Sequence, residues 1–125
     1  MGIEFDDLSN RVIGCALEVH RQLGPGLLES VYQRCLAYEL VSSGIQVEVE
    51  RPMRVRYKEI DIDCGFRVDM LIERELIVEL KAVDTLLPIH ESQLLTYLKL
   101  SGRKIGLLMN FNSGMLKKGI RRLVL

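Results

Sequence analysis

Apolar positions along the chain first recur at helical spacing, then switch to alternation, then return to helical spacing. A first helix, capped by Asp6 or Asp7, carries Val12, Ala16, Val19 and Leu23 on one face. Gly24-Pro25-Gly26 breaks it sharply. A second helix runs from about Leu28 to Ser42, with Val31, Cys35, Leu36 and Leu40 facing inward, and Gly44 ends it. From Ile45 to Glu50 the period is two, until Pro52 interrupts it. Met53 to Tyr57 reads as a strand and Lys58 to Asp61 as a turn. Ile62 to Ile72 reads as a longer strand in which Gly65 marks a bulge or bend. Glu73-Arg74-Glu75 is a tight connection. Leu76 to Val83 is the most apolar run, which predicts a central strand. Pro88 opens a third helix through Leu100, stopped by Ser101-Gly102. Lys104 to Asn110 is a further buried strand, and Asn112-Ser113-Gly114 is a loop. The last ten residues read equally as a short helix or an edge strand.

This order predicts an α/β fold with a central mixed sheet and helices on its faces. The segment from Leu76–Val83 through the third helix to Lys104–Asn110 is long enough for a right-handed parallel crossover. With 125 residues, no repeat and no linker, the chain is expected to form one domain over 1–125.

Composition narrows the class. Hydrophobic residues at 48% and charged residues at 27% suit a soluble globular protein. No apolar run approaches the roughly 18 residues of a membrane span. Met1 to Ser9 is polar and acidic, so no secretion signal is expected. Cys15, Cys35 and Cys64 are scattered and odd in number, which reads as reduced thiols in core positions and a cytoplasmic setting. The 17 basic and 17 acidic residues cancel, which argues against a strong non-specific nucleic-acid binder. The basic groups Arg51, Arg54, Arg56, Lys58 and Lys117, Lys118, Arg121, Arg122 are either local patches or solvated faces.

Against this background the charges between Asp69 and Lys81 stand out. On a strand Glu79 and Lys81 share one face, roughly 7 Å apart along the backbone. Removing ions from water costs several kcal/mol each by rough estimate, unless they are paired or hold a metal. Two hard carboxylates, Asp69 and Glu79, suit Mg²⁺ or Mn²⁺. Such an ion would polarise a phosphate oxygen and acidify water. Lys81 would hold the attacking water or neutralise charge in the transition state. Leu80 and Ala82 point away, which predicts a site on one side of the sheet. The plain alternative is an ion pair on an exposed strand.

Two helical positions extend the set. Glu29 and Tyr32 lie three apart near a helix start, where an acid also suits the helix dipole and a tyrosine suits the core rim. Gln93 and Tyr97 are four apart on the third helix, so Gln93 either orients water or phosphate or simply faces solvent. His90-Glu91 begins like a zinc HExxH motif, but Leu94 stands where its second histidine belongs.

The strings Gly24-Pro-Gly-Leu-Leu-Glu29-Ser-Val-Tyr32, Cys64-Gly-Phe-Arg-Val-Asp69, Ile77-Val-Glu79-Leu-Lys81-Ala-Val and His90-Glu-Ser-Gln93-Leu-Leu-Thr-Tyr97 resemble the GxxExxY proteins of bacteria and archaea. Those belong to the PD-(D/E)xK nuclease-like superfamily. The resemblance covers about Leu8 to Leu125. It implies a restriction-endonuclease-like core. It also implies that Asp69, Glu79 and the Leu80 carbonyl hold metal, that Lys81 is catalytic, and that Glu29 assists through water or a second ion. Gln93 matches a polar residue on the helix after the core strands. Val68 stands where the superfamily's name has proline. The expectation is a Mg²⁺-dependent nuclease (Mn²⁺ also suiting the site) acting on nucleic acid, DNA first, with homodimerisation expected of so small a nuclease. The alternative is a non-catalytic nucleic-acid-binding or protein-interaction module on the same fold.

Overall fold

The computed structural model describes residues 6–125. Residues 1–5, on which the expectation of no secretion signal partly rests, lie outside the described residues. Helix α1 spans Asp7–Leu23 and α2 spans Glu29–Ser42. Asp6 caps α1, its Oδ2 accepting the Ser9 N–H at 3.0 Å and its Oδ1 the Ser9 hydroxyl at 2.6 Å. Val12, Ala16 and Val19 are buried as expected, whereas Leu23 sits exposed at the last turn. On α2 the buried series is Tyr32, Leu36 and Leu40. Val31, expected inside, is exposed, and Cys35 is half-buried. The stripe is rotated because three large residues at four-residue spacing bury more area than Val31 with Cys35.

Strand β1 covers Val47–Tyr57 and β2 covers Ile60–Ile72. β1 runs through Pro52 without a break, which an edge strand tolerates because proline's missing N–H costs no ladder bond on the unpaired side. The turn is tighter than expected, with Tyr57 paired to Ile60 and Lys58 in the left-handed region at φ 53°. The register slips between Met53 and Val55, opposite the stretch holding Gly65. A side chain at Gly65 would collide with Val55, so the bend expected there is real and needs glycine.

Strand β3, Leu76–Lys81, is central in the order β1-β2-β3-β4-β5. Helix α3 spans Pro88–Ser101, and β4, Ile105–Asn110, pairs parallel to β3 as expected of the crossover. The ambiguous carboxyl end takes both forms in turn. A 3-10 turn at Leu116–Gly119 leads into β5, Ile120–Val124, antiparallel on the β4 edge.

α1 and α2 pack on one sheet face, against Met70, Ile72, Val78 and Leu80 among others. α3 covers the other through Leu94 and Leu98, which meet Val68, Leu71, Ile77 and Leu108. Gly106 lets Leu94 approach the sheet, since an added Cβ would lie 2.9 Å from a Leu94 methyl. Cys15 and Cys35 are half-buried near the core, but Cys64 is exposed and fills no core position. It lies on the part of β2 that extends past its pairing with β3. No helix among the described residues is long and apolar enough to cross a membrane.

Candidate active site

The candidate site forms where two strands part. β2 and β3 pair only from Met70–Ile72 to Leu76–Val78. Beyond Met70 the next backbone N–H groups have no ladder partner, and a buried N–H must find one. Two carboxylates supply it reciprocally. Glu79 Oε2 accepts the Asp69 N–H at 3.0 Å, and Asp69 Oδ2 accepts the Leu80 N–H at 2.8 Å. Each acid thus satisfies the other's strand, and the split in the sheet holds both side chains in register.

Glu79 is only 6% exposed. Burial first, then its hydrogen bond to the Asp69 side chain and that group's charge, push the Glu79 carboxyl up to about 9. The Asp69 N–H and the Lys81 charge oppose this without overcoming it. Lys81 is half-buried at the end of β3, on the same sheet face as Glu79 by alternation.

Both helical layers reach this gap, so the expected one-sided site is corrected. From the α2 side, Glu29 Oε1 accepts the Ala82 N–H at 3.2 Å. One turn on, Gln33 Nε2 donates to the Asp69 carbonyl at 3.0 Å. A cleft of about 180 Å³ opens here, lined by Glu29, Ser30, Gln33, Glu50, Asp69 and Leu80. From the α3 side comes Tyr97, whose phenol is pushed above its ordinary value by burial first and then by the charges of Glu79 and Asp69. Its ring stacks on Phe66 with centroids 4.4 Å apart. Gln93, one turn before Tyr97, is exposed and is not brought into hydrogen-bond contact with the acids.

Three lining residues escape a reading of the sequence. Gln33 was accessible in principle, four residues after Glu29 on one helix face. Ser30 and Glu50 carry no such signal. Glu50 reaches the cleft only through the β1–β2 pairing, at a left-handed φ of 49° across from Asp69. His90, discarded as a zinc ligand, accepts the Leu87 N–H through Nδ1 at 3.0 Å and so closes the start of α3.

A family model described as the PD-(D/E)XK nuclease superfamily matches residues 6–123. The chain belongs to the PD-(D/E)XK nuclease superfamily. No curated protein and no solved structure gives a match. The mixed five-stranded sheet with three helices is the restriction-endonuclease-like core expected from the sequence. Membership makes a nuclease-type function and a nucleic-acid substrate the frame for this site, and divalent-metal dependence is general in the superfamily.

The residues present fit such an ion. Two carboxylates share a gap in which one of them cannot ionise easily without added positive charge. The groups lining the cleft offer oxygen, with no histidine or cysteine among them. Among the described residues no three or more His, Cys, Asp or Glu side chains cluster closely enough to hold one ion. The two acids that the structure couples directly are Asp69 and Glu79, and Glu29 accepts the Ala82 N–H near them.

Proposed function

We propose that the protein is a Mg²⁺-dependent nuclease of the GxxExxY type, a single unit over 1–125, that hydrolyses phosphodiester bonds in DNA. The reciprocal Asp69–Glu79 pair at the β2–β3 split carries this reading, because it is an acid pair poised to accept a cation. Asp69, Glu79 and the Leu80 carbonyl would hold Mg²⁺, with Mn²⁺ as a substitute, and the ion would polarise a phosphate oxygen and acidify water. Lys81, beside Glu79, orients the attacking water and offsets charge that builds on the phosphate. Glu29 holds a water at the edge of the pair from its place on Ala82. Gln93 reaches outward from α3 toward a phosphate of the bound strand. Water adds to phosphorus and the bond to the 3′ oxygen breaks, leaving a 5′-phosphate and a 3′-hydroxyl.

Asp69→Ala, Glu79→Ala and Lys81→Ala are each expected to lower cleavage by at least about a hundredfold while circular dichroism stays unchanged. The substrates are a panel of plasmid, single-stranded and branched DNA with Mg²⁺. A wild-type protein that cleaves no DNA or RNA with either Mg²⁺ or Mn²⁺ removes the proposal.

One observation favours a second reading, a non-catalytic module. The basic stretch of β1 is neutralised by Arg51–Glu48, Arg54–Asp63 and Arg56–Asp61 pairs at 3.1, 3.1 and 3.7 Å. Cleavage assays and gel shifts on the same panel decide: neither cleavage nor metal-free DNA binding supports it, in the form of a protein-interaction module.

A further inference from the structure

Glu29 is exposed, and one hydrogen bond at 3.2 Å is a weak restraint on it. The net gain from one such bond does not exceed the entropy lost in ordering a long glutamate side chain. The carboxylate therefore depends on how firmly the backbone at both ends of that bond is held. At the Glu29 end the chain from Gly24 to Leu28 is a loop, with φ of 69° at Gly24 and 102° at Gly26. No side chain caps α2.

Tyr32 grips that loop from below. Its hydroxyl donates to the Gly24 carbonyl at 2.6 Å and accepts the Leu27 N–H at 3.1 Å. The ring is fully buried and stacks on Phe111 with centroids 4.7 Å apart. Phe111 belongs to the other end of the bond. Its N–H donates to the Lys81 carbonyl at 2.8 Å. Asn110 then brackets Val83, accepting its N–H at 3.0 Å and donating to its carbonyl at 2.8 Å. Ala82 is fixed between these two grips. Asn112 closes the circuit, its Oδ1 accepting the Gly26 N–H at 3.0 Å.

We propose that Tyr32 is a positioning residue: it locks the Gly24–Leu28 loop to the end of β4 so that Glu29 is presented to Ala82 beside the acid pair. This rests on the nuclease reading for the use made of Glu29, but the lock itself does not. Asn112 serves the same lock from the opposite side.

The test is a double-mutant cycle read in two ways. Tyr32→Phe keeps the ring and its stacking on Phe111 and removes only the hydroxyl. The variants are Tyr32→Phe, Glu29→Ala and both together, with Asn112→Ala as a second route that leaves Tyr32 untouched. Ala82 amide exchange, followed by NMR without metal, is expected to quicken in Tyr32→Phe, Asn112→Ala and Glu29→Ala, the last of which removes the acceptor of the Ala82 N–H. It is expected to quicken no further in the double variant. Mn²⁺ affinity is expected to fall roughly tenfold in Tyr32→Phe and to show no added loss over Glu29→Ala alone. Additive effects in the exchange cycle mean that Tyr32 supports the core generally, and they overturn the proposal. Failure of wild type to bind Mn²⁺, with a non-additive exchange cycle, upholds the lock and removes the metal reading instead.

Discussion

Glu79 is the residue on which pH acts most directly. Its folded-state pKa of about 9 lies above its ordinary value of 4.5. Without a cation, its contribution is fully present below about 4.5, where both folded and unfolded states hold the proton. As pH rises from there toward 9, the unfolded chain releases that proton first and stability falls. Glu79→Gln, neutral throughout, is expected to flatten that fall, by an order of a few kcal/mol at pH 8. Urea titrations in EDTA at pH 5 and pH 8 check this. A divalent ion displaces the proton, so Mg²⁺ is expected to raise the Tm more at pH 8 than at pH 5. Equal increments at the two pH values contradict the assignment of Glu79 as a ligand. At this scale much was legible, since Asp69, Glu79 and Lys81 announce themselves as charges in apolar surroundings. That Asp69 and Glu79 hydrogen-bond each other's strands was not, because it requires the register between β2 and β3.

Among the elements, β4 and α3 are tied by a missing side chain. Gly106 on β4 leaves room for Leu94, and Leu94 lies one position after Gln93. Gly106→Val adds bulk against the Leu94 side chain and is expected to destabilise the fold by about 1–3 kcal/mol. It is also expected to shift α3, and Tyr97 with it, relative to the acid pair. Denaturant midpoints and the near-ultraviolet spectrum check the two effects, and an unchanged midpoint contradicts the packing argument. Periodicity located this helix and β2, β3 and β4 to within a few residues, and left β5 undecided between a short helix and an edge strand. It misjudged the inward face of α2, where Val31 and Tyr32 are adjacent and both apolar enough to compete. It also stopped β1 at Pro52, because edge placement is a property of the sheet and not of the segment.

Over the whole molecule, the zero net charge leaves any nucleic-acid path to local cations. Those of β1 are largely engaged by neighbouring acids. Lys118 and Arg121 instead border a second cleft of about 180 Å³ with Asp84, Thr85, Leu86, Asn110, Ser113 and Gly119. This cleft lies at the same β3–β4 end as Lys81. Lys118→Ala and Arg121→Ala are each expected to weaken DNA binding evenly across sequences. Each should also reduce the slope of log affinity against log salt by about one. Fluorescence anisotropy over a salt series checks this, and an unchanged slope removes these cations from the path.

The sequence by itself determined the alternation of helix and strand, the central apolar strand and the short set of charges with chemical meaning. Those follow from local periodicity and from the cost of putting ions among apolar neighbours. Only the tertiary structure decided where the sheet splits, which backbone N–H groups the acids satisfy, and that Gln33, Glu50 and Tyr97 surround them. Those facts depend on strand register and helix rotation. Both are fixed by how the two core layers pack against the sheet, with contacts between residues far apart in the chain.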